Sequence, residues 1–143
     1  MAARVPIPKP KKCWKISLPA RVDAISPAVD EIMGHIRKQH HRVRENEFAI
    51  ETALREGLAN AVLHGCKNDA QKQVHCEVTC KNGGSVQILI RDPGEGFDPA
   101  ALASPLDHDN VLADHGRGIY LIRHLMDEVQ YGDGGREVRM RKS

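Results

Sequence analysis

Two short polar runs, Asn82-Gly83-Gly84 and Asp133-Gly134-Gly135, constrain this chain more than any other feature. Each sits between segments of strand-like sequence, and each is rich in residues that adopt tight-turn backbone angles, the signature of a β-hairpin. The first joins strands expected over 73–81 and 85–92. The second joins strands expected over 128–132 and 137–140. Between and before the hairpins the polarity changes period. Trp14, Ile16 and Leu18 alternate, which predicts a first strand over 13–18, closed by Pro19. Ser26-Pro27 reads as an N-cap followed by proline at the first helical position, and Val29, Ile32, Met33 and Ile36 carry that helix to about Gln39. A longer helix is expected over 45–64, with an apolar stripe of Phe48, Ala49, Ala53, Leu54, Leu58, Ala61 and Val62 and with Gly65 at its C-terminal cap. A third starts near Arg117 and carries Ile119, Leu121, Ile122, Leu125 and Met126. The order β-α-α-β-β-α-β-β implies an α+β sandwich and excludes a doubly wound parallel sheet.

Composition narrows the class further. With 143 residues, 41% hydrophobic and 28% charged, the chain has the make-up of one globular domain. Its aromatic residues are only Trp14, Phe48, Phe97, Tyr120 and Tyr131, so the core must be aliphatic. A net charge of +2 is too balanced for the basic footprint of a nucleic-acid binder. No run approaches the roughly 18 apolar residues of a membrane span, and the N-terminus lacks the apolar stretch of a secretory signal, so a cytoplasmic protein is expected. Arg4, Lys9, Lys11 and Lys12 lie among Pro6, Pro8 and Pro10, so residues 1–12 read as a flexible basic tail, or as an arm that touches phosphate or a partner. Cys13, Cys66, Cys76 and Cys80 match no zinc spacing and read as reduced, buried thiols.

Three segments carry chemistry. Glu56, Asn60 and His64 recur every four residues on the second helix and therefore share one face. A carboxylate that can accept a proton beside a carboxamide whose oxygen suits Mg²⁺ is a sensible pair for phosphoryl transfer. Asp92-Pro93-Gly94-Glu95-Gly96-Phe97-Asp98 follows a strand, where Gly94 and Gly96 allow close backbone approach and Asp92 can accept from a buried donor. His115-Gly116-Arg117-Gly118 opens a helix, where unpaired N–H groups and Arg117 suit an anion. Singly, each also fits an ordinary solvated face, turn or helix start. Neither a P-loop nor a dinucleotide GxGxxG fingerprint is present.

Taken together and in this order, the segments resemble the N, G1 and G2 boxes of the GHKL ATPase superfamily, which includes gyrase and the histidine kinases. The runs REGLANAVLHG, DPGEGFDP and HGRGIYLIRHLMDEVQY are similar to those of the anti-sigma factor serine kinases of its histidine-kinase-like group. The resemblance covers residues 13–143. It implies a two-layer α/β sandwich, with a mixed, mostly antiparallel sheet backed by helices: the Bergerat-type ATP-binding fold. It implies Glu56 as general base, Asn60 as Mg²⁺ ligand, and Asp92 as the reader of the adenine amino group, with Gly94 and Gly96 shaping that pocket. Gly116 and Gly118 would be lid hinges beside the phosphates, with Arg117 between them.

The implied cofactors are ATP and Mg²⁺. The implied partners are a STAS-domain anti-anti-sigma factor, phosphorylated on serine, and a sigma factor that the kinase sequesters. A homodimer is a further expectation, with the first strand and its Trp14 and Ile16 as the pairing edge. Direct nucleic-acid or membrane binding is not expected. Residues 99–115 have the length of a lid that closes on nucleotide. Asp107-His108-Asp109-Asn110 within them reads as solvated loop, and His64, His115 and His124 read as structural. One departure stands out: relatives often carry threonine after the last glycine pair, and here that place is Arg136. A nucleotide-dependent binding module without kinase activity is the competing reading. The length leaves no room for a phosphoacceptor hairpin, which disfavours half of a histidine kinase and implies that substrate and target are met in trans.

Overall fold

The structure, a computed structural model, describes residues 13–39, 45–81, 84–94 and 114–143, of which 114–117 by backbone alone. Strand β1 (Cys13–Pro19) leads through a 3-10 turn (Val22–Ala24) into α1 (Ile25–Gln39). Helix α2 (Glu47–Asn60) continues into a π-helical turn (Ala61–Gly65). Strands β2 (Gln73–Cys80) and β3 (Val86–Arg91), helix α3 (Asp114–Leu125), and strands β4 (Glu128–Gly132) and β5 (Glu137–Lys142) complete the order. The sheet runs β1-β2-β3-β5-β4, and every described ladder is antiparallel. This is the expected α+β architecture.

Both hairpins form. Cys80 faces Val86 across the first, and Gly132 faces Glu137 across the second. In the β4–β5 turn Asp133, Gly134 and Gly135 take φ of 51°, 64° and 87°. Three left-handed residues in succession cost an L side chain about 1–2 kcal/mol each, which explains why two of the three are glycine.

Strand alternation puts one face of the sheet under the helices. Cys76, Ile90 and Val138 lie in register across β2, β3 and β5, as do Val78, Ile88 and Met140, and all six are buried. The helices cover them with Ile32, Met33 and Ile36 from α1, Ile50, Leu54 and Leu58 from α2, and Ile119 and Ile122 from α3. None of the largest fully buried side chains is aromatic, as the composition requires. Each such aliphatic side chain contributes roughly 1.5–3 kcal/mol by leaving water. The other face, with Lys15, Glu77, Leu89, Arg139 and Gln130 in register, has no helix over it among the described residues.

Four local expectations change. Phe48 is 75% exposed, because the buried stripe of α2 runs through Ile50, Ala53, Leu54, Gly57 and Leu58, and Phe48 falls outside that phase. Helix α1 begins at Ile25, straight out of the 3-10 turn. Ser26 is therefore not its cap, and its hydroxyl accepts instead from Arg55 Nη1 at 2.9 Å. Pro27 fits in that first turn because N–H groups there lack helical partners. Helix α3 starts at Asp114, three residues before Arg117. Cys13 is exposed and Cys80 only partly buried, whereas Cys66 and Cys76 are buried as expected. Burial pushes the Cys76 thiol up to about 12, so it is inert near neutral pH. No helix of the described residues is long and apolar enough to cross a membrane. The tail 1–12, Gly96 and the 99–113 segment with Asp107-His108-Asp109-Asn110 lie outside the described residues.

Candidate active site

Helix α2 presents Glu56 and Asn60 one turn apart, toward α3. The contact between the two helices is close: a methyl placed on Gly118 would lie 2.6 Å from Glu56 Oε2 and 3.6 Å from both polar atoms of Asn60. Only a residue without a side chain lets α3 come this near. Asn60 is 5% exposed, and its Nδ2 has no hydrogen-bond partner among the described residues. A buried amide donor left unpaired costs about 1–3 kcal/mol, so the position calls for an acceptor from outside the described residues.

Asp92 closes β3 and is 3% exposed. Its N–H donates to the carbonyl of Arg136 at 2.9 Å, and its Oδ1 accepts from the N–H of Gly94 at 2.9 Å. Burial pushes the Asp92 carboxyl above the usual carboxylate range; the Gly94 N–H, Arg136 and Lys72 oppose that rise, and Asp133 adds to it. Asp92 and Asn60 both line a small cavity of about 10 Å³, together with Gly57, Tyr131, Gly135 and Arg136. That is about the room of one water. Burial also holds the Tyr131 phenol up at about 12, against the lowering effect of the Arg123 guanidinium 5.6 Å above its ring.

The π turn explains how helix and strand end meet. Cys66 N–H reaches back five residues to the Ala61 carbonyl at 2.8 Å, and Asn68 N–H bonds the Val62 carbonyl at 2.9 Å. The left-handed residues that end the helix are Lys67 and Asn68, with φ of 52° and 59°, and not Gly65. Gly65 serves Asp92 instead: a methyl there would sit 2.3 Å from Oδ2, and one on Gly94 would sit 1.6 Å from the Gly65 carbonyl oxygen. Gly65→Ala is therefore expected to destabilise the domain by roughly 1–3 kcal/mol through overpacking, read as a lower urea midpoint. An unchanged midpoint would show that Asp92 can move aside at no cost.

The expected site residues thus divide. Glu56, Asn60 and Gly118 converge, and Asp92 and Gly94 stand at the neighbouring strand end. Gly116 and Arg117 lie in the first turn of α3, inside the helix and not ahead of it, among the four N–H groups that lack helical partners. Gly57, Gly65 and Tyr131 are additions. Gly57, Ala61 and Gly65 recur every four residues, a row of small side chains that marks a close approach. A methyl on Gly57 would sit 2.7 Å from Ile90 Cδ1. A larger groove, about 290 Å³, lies on the other face of the sheet among Glu77, Gln87, Glu128 and Arg139, and holds none of the expected site residues.

Residues 18–142 match the family described as the histidine kinase-like ATPase domain. The chain belongs to that family. The matched stretch takes in the candidate site, from Glu56 to Arg136. Among similar proteins, an anti-sigma F factor of Priestia megaterium is 32% identical over 83 residues, 57% of this chain and 56% of that protein. An anti-sigma F factor of Heyndrickxia coagulans is 22% identical over 138 residues, 90% of this chain and 80% of that protein. The serine-protein kinase RsbW of Staphylococcus epidermidis is 34% identical over 97 residues, 63% of this chain and 61% of that protein. The first and third of these matches thus span less than two thirds of the relatives' own length. As a member of this family the domain binds ATP.

Proposed function

We propose that this ATPase domain is a protein serine kinase that acts as an anti-sigma factor. It transfers phosphate from ATP to a serine of a STAS-type anti-anti-sigma partner and sequesters a sigma factor. The names of its relatives support both halves of this reading. The observation that carries it is the convergence of Glu56, Asn60 and Gly118 beside the buried Asp92.

In this reading the serine hydroxyl oxygen attacks the γ-phosphorus, and its proton passes to the Glu56 carboxylate. The bond from the γ-phosphorus to the bridging oxygen breaks, and ADP leaves. Positioning and charge neutralisation are most of what such a transfer needs. Asp92 accepts a hydrogen bond from the adenine amino group, with Gly94 beside it. The N–H groups at the start of α3, with Gly116, Arg117 and Gly118, face the phosphates. The Asn60 side chain suits Mg²⁺: its amide oxygen is a hard ligand, and its unpaired Nδ2 suits a phosphate or water oxygen at the same place. When bound there, Mg²⁺ would neutralise phosphate charge. A cytoplasmic location and a homodimer through the outer edge of β1, where Trp14 stacks on His35 at 4.7 Å, belong to the same reading. The intact Glu56, set against α3, favours a kinase over a binding module without transfer.

Asn60→Ala is expected to weaken Mg-ATP binding and transfer together, by about tenfold or more. Titration in Mg²⁺ and in EDTA checks this: the loss should be clearly larger in the Mg²⁺ arm. Equal affinity in both proteins would remove Asn60 as the metal ligand. For the anti-sigma half, nucleotide-dependent co-purification of a sigma factor is the expected result, and its absence with and without ATP would count against sequestration.

A further inference from the structure

Arg136 holds the Asp92–Gly94 turn at both ends. Its carbonyl accepts the Asp92 N–H at 2.9 Å, and its Nε donates to the Gly94 carbonyl at 2.7 Å. Inside that turn the Gly94 N–H donates to Asp92 Oδ1 at 2.9 Å, so the three bonds close a chain from Arg136 to the carboxylate. The guanidinium is in turn steadied by Asp133, at 3.5 Å from Nη1. We propose that Arg136 is a positioning residue for base recognition: its guanidinium, held on the Gly94 carbonyl, fixes the turn that presents Asp92 to the incoming base. This rests on the nucleotide-binding reading above.

Charge supports the geometry. A base amino group bonds more strongly to an ionised carboxylate than to a neutral carboxyl, and burial works against ionisation of Asp92. Among the described residues, the charged and titratable groups facing it are Arg136 and Asp133 from the β4–β5 turn, Tyr131 from β4, Lys72 ahead of β2, and the Cys66 thiol after the π turn. Of the two cations in that set, Arg136 is the one bonded to the same turn, and it favours the ionised form. The guanidinium suits both tasks because its planar fork donates to a carbonyl while keeping its charge at any working pH.

The test compares Arg136→Gln and Arg136→Lys with the wild-type chain, using a fluorescent adenine nucleotide across a range of pH. Arg136→Gln should bind about tenfold more weakly at neutral pH. Its affinity should also begin to fall at a higher pH than the wild type as acid is added. Arg136→Lys should lose part of the affinity and keep the wild-type acid limb. NMR titration of the Asp92 side-chain carboxyl in the nucleotide-free protein should show the same order: raised in Arg136→Gln and held in Arg136→Lys. A wild-type acid limb and an unchanged Asp92 titration in Arg136→Gln would overturn the proposal. So would wild-type affinity in both variants. If the wild-type chain binds no adenine nucleotide, the base-recognition reading falls, while the carboxyl titration still reports whether Arg136 acts on Asp92.

Discussion

Glu56→Ala is expected to cut phosphoryl transfer by about 10²–10⁴-fold, the range a positioned general base supplies. ATP affinity should stay within a few-fold of the wild type. The two effects separate because Glu56 and Asp92 stand against different neighbours. It is Gly118, at the start of α3, that abuts its carboxylate, whereas Asp92 lies beside Gly65. Removing the carboxylate therefore removes the proposed proton acceptor and leaves Asp92 and its neighbours as they are. Glu56→Gln keeps the shape that packs against Gly118 and should lose as much activity, which distinguishes lost basicity from lost packing. Single-turnover transfer from labelled ATP reads the rate, and equilibrium titration reads the affinity. A transfer rate like that of the wild type in either variant would remove Glu56 from the role.

Asp92→Asn has the second large effect, and it works in two directions. ATP affinity should fall by roughly 10–100-fold, the worth of a charge-assisted hydrogen bond inside a protein. Stability of the nucleotide-free protein should rise at neutral pH. Burial raises the Asp92 carboxyl in the folded state, so the native chain holds that proton more tightly than the unfolded chain does. Stability is then greatest below the ordinary carboxylate value and is lost as pH climbs through the raised native value. Above that window the loss is constant. Asparagine carries no such titration and can still accept from the Gly94 N–H, so the variant's stability should be flatter there and higher above it. Nucleotide binding has the opposite slope, since it uses the ionised form. Urea unfolding across pH tests the first part, and ATP titration tests the second. A variant less stable than the wild type above the ordinary carboxylate range, and equal to it below, would show that Asp92 is held ionised in the nucleotide-free protein.

The elements themselves were legible because their signals are local. The alternation of Trp14, Ile16 and Leu18, the helical spacing of Val29, Ile32, Met33 and Ile36, and the two glycine turns each report on backbone geometry within a few residues. The strand, the helix and the second of these turns appear in the fold, and the strands flanking the first turn pair. The site was legible in part for the same reason: Glu56 and Asn60 share a helix face by spacing alone. What local sequence did not carry was contact between distant segments. Gly65 looks like a helix cap from its neighbours, yet its reason lies 27 residues on, at Asp92 Oδ2. Phe48 fits an apolar stripe by type but not by phase, and phase is set by which face α2 turns to the sheet. Arg136 is marked in the sequence only as a departure from the family pattern. Its bond to the Gly94 carbonyl depends on β5 lying beside β3, a sheet order that no local signal fixes.

The most direct test of the account is a phosphoserine assay. The protein is mixed with Mg-ATP and the STAS-domain protein that co-purifies with it or is encoded beside it, and the products are resolved by mass spectrometry. The account predicts phosphate on one serine of the STAS protein with the wild-type chain and none with Glu56→Ala. Tight Mg-ATP binding with no phosphoserine on the partner would contradict it, and would make the chain a nucleotide-dependent binding module.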